Sequence, residues 1–164
     1  MKNKKYIIRG TLAMLLLLSL YIINYNSINQ KIARDLEIRV PSSLEFEYED
    51  THGGFHGDGI TLAQAELGDK DISNIINKSK TKWKQAPISV ERQLLIYGSS
   101  SDGSRTIPNT DDSRIPIIKN GYWIFKDRAS KEYKERFPDA RIGNYSLGAI
   151  DLDTKTFYYL KFDS

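Results

Sequence analysis

The stretch Tyr145-Ser-Leu-Gly-Ala-Ile-Asp-Leu152 predicts the first strand of a β-hairpin near the end of the chain. Its partner strand is predicted at Thr156-Phe-Tyr-Tyr-Leu-Lys-Phe162, with a turn at Asp153-Thr154-Lys155 between the two. Ten of the 18 aromatic residues of the chain lie between residues 122 and 162. We therefore expect the hydrophobic core to be concentrated in the C-terminal strands.

Further strands and several helices are predicted upstream of this hairpin. Leu44-Glu-Phe-Glu-Tyr-Glu49 alternates apolar and acidic residues, which is typical of a half-buried strand. Residues 60–66 are its predicted antiparallel partner, and Tyr122-Trp-Ile-Phe125 is apolar on both faces, as in a central strand. Helical patterns cover residues 71–83, 89–97 and 130–137, and residues 98–114 have the composition of a surface loop. The fold class is therefore α+β, with an antiparallel sheet of about five strands and two or three helices on one face.

An apolar run near the N-terminus predicts a membrane anchor. Residues 6–23 are apolar apart from Arg9, Thr11 and Ser19, and a bilayer core needs about 20 helical residues. The run follows a basic flank, which the positive-inside rule keeps in the cytoplasm. Tyr21-Ile-Ile-Asn-Tyr-Asn26 lacks the small residues of a cleavage site, which favours an uncleaved anchor over a signal peptide.

These patterns divide the chain into four parts. We expect a cytoplasmic basic flank at 1–5, a transmembrane signal-anchor helix at 6–25, a helical stalk at 26–41 and an extracytoplasmic α+β domain at 42–164. The expected location is the cell membrane, with a single pass, the N-terminus in the cytoplasm and the C-terminal domain outside.

The charge distribution and the absence of cysteine exclude several classes of function. The net charge is +3, but three of the 24 basic residues precede the apolar run and a fourth, Arg9, lies near its start; the other 20 nearly balance the 21 acidic residues. A nearly neutral domain does not have the basic surface of a nucleic-acid-binding protein. Without cysteine there is no disulfide, no thiolate metal site and no cysteine nucleophile.

One string of residues has candidate chemistry: Asp50-Thr-His-Gly-Gly-Phe-His-Gly-Asp-Gly59. The glycines set a turn, and aspartate and histidine side chains commonly hydrogen-bond the backbone of such turns. A binding loop would consist of His52, Gly53, Gly54, Phe55, His56, Gly57 and Asp58. Alternatively, Asp50, His52, His56 and Asp58 are ligand types for a divalent metal such as zinc, with Glu49 as the base of a hydrolase.

The chain resembles a group of small, membrane-anchored proteins of low-GC Gram-positive bacteria. The features that carry this resemblance are the apolar run, the His52-Gly-Gly-Phe-His-Gly-Asp-Gly59 loop, Gly121-Tyr-Trp-Ile-Phe-Lys-Asp127 and the closing hairpin through Tyr158-Tyr159. The resemblance covers most of the chain. It implies no activity, cofactor or catalytic residue.

Three functions fit these patterns. The absence of a complete catalytic constellation favours a non-enzymatic, surface-tethered binding or protective (immunity-like) module. The second hypothesis is a metal-dependent envelope hydrolase that uses the glycine and histidine loop. The third is an accessory subunit of a membrane complex.

Overall fold

The predicted C-terminal hairpin forms the centre of an antiparallel sheet. The computed structural model describes residues 11–12, 14–19, 27–53, 57–79, 82–97, 115–136 and 143–163. Within these residues the sheet has six strands, in the order β1-β2-β6-β5-β4-β3. The strands are β1 (Glu47–Asp50), β2 (Gly59–Glu66), β3 (Lys84–Gln85), β4 (Gly121–Asp127), β5 (Tyr145–Asp151) and β6 (Thr156–Asp163). The helices are α1 (Ile28–Leu36), α2 (Asp69–Asn77), α3 (Val90–Tyr97) and α4 (Lys131–Arg136).

The central hairpin confirms the sequence prediction. Leu147 lies opposite Leu160 across the β5–β6 pair, and every residue of β5 is buried. A strand in this position is covered on both faces, which explains why its sequence is almost continuously apolar. The predicted loop at 98–114 lies outside the described residues.

Helices cover both faces of the sheet, whereas we predicted them on one face. Ile32 of α1 and Ile75 of α2 pack against Phe157 and Tyr159 on one face. Ile96 of α3 packs on the opposite face, in a cluster with Tyr145 and other sheet residues. Because β5 and β6 are apolar on both sides, each face needs its own cover, and a second helical layer supplies it.

Helix α1, which we predicted to be part of a stalk, packs directly on the sheet. Its residues Ile32 and Leu36 are completely buried. Gly148 of β5 makes this contact possible, because a Cβ atom there would lie 2.6 Å from the Leu36 Cδ1 atom. Residues 28–36 therefore contribute to the core of the domain.

The predicted transmembrane helix over residues 6–25 is wrong. A bilayer core requires about 20 helical residues, and no helix in the described part of the chain is long and apolar enough to cross it. The helical positions described in this region are residues 11–12 and 14–19. The membrane, signal-anchor and single-pass assignments depended on this helix and are therefore corrected as well.

Candidate functional site

The glycine-rich loop leaves the sheet at the β1–β2 hairpin, and hydrogen bonds fix its first residues. The Thr51 N–H donates to the Ile60 carbonyl over 2.9 Å, and the Ile60 N–H donates to Thr51 Oγ1 over 2.9 Å. Asp50 then turns the chain, because its Oδ1 accepts the His52 backbone N–H at 3.1 Å. The same carboxylate oxygen lies 2.5 Å from His52 Nδ1.

The second ring nitrogen of His52 contacts Asp163, the last residue of β6. This Nε2 atom lies 2.9 Å from Asp163 Oδ2. The sheet register brings the two residues together, since Gly59 of β2 pairs with Asp163 of β6. Both ring nitrogens thus face carboxylates. A ring nitrogen that carries a proton can donate to the carboxylate beside it.

Asp163 also contacts two cationic side chains. Arg128 Nη2 bonds its Oδ1 atom, and Lys161 Nζ lies 3.2 Å from its Oδ2 atom. Arg128 Nη2 also donates to the Phe162 carbonyl at 2.9 Å. Burial alone would raise the pKa of Asp163, but the bonds and charges of Arg128 and Lys161 outweigh it and hold that pKa below its usual value. We call Asp50, His52, Asp163 and Arg128 the His52 clamp.

Gly59 leaves the space in which His52 sits. A Cβ atom at this position would lie 2.7 Å from both the Cα and the N of His52 and 2.9 Å from its ring Cγ. Two of these neighbours are backbone atoms, which cannot move aside cheaply. The glycine is therefore required by close approach of the backbone.

The structure brings together only part of the predicted binding loop. Asp50 and His52 join the clamp, whereas Gly53, Gly57 and Asp58 are exposed. Gly54, Phe55 and His56 lie outside the described residues, so their predicted roles stay predictions. No sequence pattern indicated the other two residues of the clamp, Asp163 and Arg128. His52 and Asp163 are 111 positions apart, and only the sheet register joins them.

The His52 clamp connects the β1–β2 loop to the last residue of β6. Asp50 and Asp163 bond opposite edges of the His52 ring, so the three groups do not converge on one point. Among the residues that the structure describes, no group of three or more His, Asp or Glu side chains is arranged to hold a metal ion. Thr61 Oγ1 lies 3.3 Å from His52 Nδ1, but that nitrogen is already engaged by Asp50.

A second feature lies next to the clamp, where strand β1 forms one edge of the sheet. All four residues of β1 are exposed, and no described strand pairs with its outer side. Because the Thr51 N–H points to β2, alternation along an antiparallel strand directs the backbone N–H and C=O groups of Tyr48 and Asp50 outward.

A groove runs along β1 on the face opposite the clamp. It consists of two adjoining hollows of about 410 and 820 Å³ that share Glu47 and Gln64. The described residues that line the groove include four glutamates and neither lysine nor arginine. We call it the acidic groove; its main lining residues are Glu45, Glu47, Glu49, Leu62, Gln64, Glu66, Ile115 and Tyr158.

Comparisons with known proteins give no match: no family model, no curated protein and no solved structure is similar to this chain. The resemblance to small anchored proteins of Gram-positive bacteria therefore stays a prediction.

Proposed function

We propose that this domain is a non-enzymatic protein-binding module. Its ligand is an extended, cationic segment of a partner protein, which adds to the outer side of β1 as a further strand. The observation that carries the proposal is the open β1 edge beside a groove lined by four glutamates and, among the described residues, by no basic side chain. The predicted extracytoplasmic location of the domain stays untested.

The backbone of β1 supplies the affinity in this proposal. The outward N–H and C=O groups of Tyr48 and Asp50 are the groups that an added strand bonds in β-augmentation. The exposed ring of Tyr48, with 58% of its surface accessible, offers an apolar contact at the same edge. An aromatic side chain in such a position adds contact area at little cost in conformational entropy.

The side chains of the groove supply the specificity. Glu47 and Glu49 share one face of β1, so a bound strand with lysine or arginine at every second position places its cations over them. The same carboxylates repel acidic strands and the β1 edge of a second copy. Charged edges are a common protection against unwanted strand pairing, and here they also select the sign of the partner.

The alternative metal-dependent hydrolase has no specific support among the described residues. It requires His52 to coordinate a metal, but both ring nitrogens of His52 are engaged by carboxylates. The accessory-subunit alternative requires a membrane helix, and the described part of the chain contains none that is long and apolar enough.

The test is binding of a short peptide that alternates lysine and threonine, measured by isothermal titration calorimetry. We expect saturable binding that weakens strongly near 1 M salt, where the Debye length is about 3 Å. The double variant Glu47→Gln/Glu49→Gln should bind about fivefold more weakly, since two exposed ion pairs together contribute about 1 kcal/mol.

The matched control is Glu132→Gln/Glu135→Gln on α4, which removes the same charge far from β1 along the chain and should leave the affinity unchanged. A peptide that alternates glutamate and threonine should not bind. Equal weakening in both double variants would show that only net charge matters and would contradict the proposal.

A further inference from the structure

A second concave site lies on the other side of the domain core, between the ends of α1 and α2. It is an open pocket of about 820 Å³. Its walls are the last turn of α1, the following segment and the last turn of α2. The lining residues used below are Arg39, Val40, Ser42, Ser43, Asn74 and Lys78.

The pocket is basic. Arg39 and Lys78 line it from opposite walls, and within the described part of the chain neither lies within ion-pair distance of a carboxylate. Arg34 adds a third cation to the lining. Glu37 is the one acidic residue among the described lining residues, and its Oε1 atom lies 2.5 Å from Nζ of Lys126 on the sheet.

Two of the last carbonyls of α1 are already hydrogen-bonded. The last carbonyls of a helix carry partial negative charge, which would repel an anion. Here the Ile38 N–H donates to the Ala33 carbonyl over 3.1 Å, and the Glu37 N–H donates to the Arg34 carbonyl over 3.3 Å. Glu37 takes the left-handed conformation that this cap needs, with φ of 55°.

The segment that follows α1 is held by Asn29 of α1. This buried amide donates to the Pro41 and Leu44 carbonyls, each over 2.9 Å. The Leu44 N–H also bonds the Pro41 carbonyl at 3.3 Å, which makes Ser42 and Ser43 the central residues of a turn. The hydroxyl groups of Ser42 and Ser43 therefore belong to a hydrogen-bonded turn that lines the pocket.

We propose that this pocket binds a small molecule that carries a phosphate group and an apolar body. Arg39 and Lys78 neutralise the phosphate, and Arg39 supplies the planar pair of donors that phosphate oxygens accept. The half-buried Pro41, beside the edge of the buried Val40, offers an apolar contact for the rest of the molecule. The proposal is independent of partner binding at β1.

Phenyl phosphate is the probe, titrated into the full chain and followed by amide chemical shifts. We expect saturable shifts at residues 37–40, 42–43 and 74–78, and at least about tenfold weaker binding for Arg39→Gln/Lys78→Gln, which loses two charged hydrogen-bond donors. The control Lys31→Gln/Lys70→Gln removes the same charge from exposed positions within α1 and α2 and should bind as the wild type does.

A second pair of variants changes the pocket without removing a cation. Asn74→Asp places a carboxylate in the lining and should weaken phenyl phosphate binding, whereas Asn77→Asp, on the same helix outside the lining, should not. Inorganic phosphate should bind more weakly than phenyl phosphate, because it lacks the apolar body.

Binding of phenylacetate as tight as that of phenyl phosphate would overturn the phosphate assignment. No saturable shift with any probe, or equal losses in both charge-matched pairs, would overturn the site itself.

Discussion

At the scale of single residues, the fold depends on a few positions where backbones approach closely. His52 sits in the clamp because Gly59 has no side chain, and α1 reaches the sheet because Gly148 has none. Composition reveals that the loop is rich in glycine, but it does not reveal which glycine is required. That information comes from the register of β2 and β6, which places Gly59 opposite Asp163.

We predict that Gly59→Ala destabilises the domain by about 2 kcal/mol, since the new methyl group overlaps backbone atoms of His52. Chemical denaturation measures this change. The matched control is Gly53→Ala, where the nearest atom to a new Cβ is the Thr51 carbonyl oxygen at 3.9 Å. Equal stability losses at the two glycines would contradict the packing described for His52.

Asp163→Asn should destabilise the protein at neutral pH by about 1–2 kcal/mol, because it removes the charged acceptor of Arg128 and His52. The folded state holds the pKa of Asp163 below its usual value. Its stabilising contribution is therefore present above the unfolded pKa of about 4 and is lost as the pH falls through the lower, folded value. Denaturation of both proteins across acid pH should show their stabilities converging. A constant difference down to the lowest pH would exclude this role of the carboxylate.

At the scale of elements, the periodicity of apolar residues predicted most strands and helices. Their exact bounds and their burial depend on contacts between elements. The predicted strand at 60–66 and helix at 89–97 are observed as Gly59–Glu66 and Val90–Tyr97. The strand predicted at 44–49 is shorter and later, at Glu47–Asp50. Leu44 and Phe46 pack against the core as their alternation predicts, whereas Tyr48, the third apolar residue of that pattern, is exposed. Burial of α1 was not predictable from its own pattern, because a stalk and a packed helix can share the same apolar spacing.

The packing of α1 on β5 gives a prediction for this scale. Gly148→Ala should lower the free energy of unfolding by about 2 kcal/mol, because the added methyl group meets Leu36 Cδ1 and Ile124 Cγ2. Shortening the neighbour in the double variant Gly148→Ala/Leu36→Val should restore part of that loss. A double-mutant cycle with no coupling would show that α1 does not rest on Gly148.

At the scale of the whole molecule, the sequence predicted the α+β class and the antiparallel sheet but not their arrangement. The second helical layer, the clamp and the acidic groove all depend on strand order and register, which join residues far apart in the chain. Asp50 and His52 could be predicted as site residues from one short stretch of sequence. Arg128 and Asp163 could be assigned to the same site only from the sheet, which brings the ends of β4 and β6 together.

The open β1 edge is the central claim at this scale, and amide hydrogen exchange with the lysine–threonine peptide bound tests it most directly. We predict that the Tyr48 and Asp50 amides become protected, since their N–H groups bond the added strand, while the Gly53 amide in the neighbouring loop keeps its rate. Peptide binding with unchanged exchange at Tyr48 and Asp50 would contradict the account.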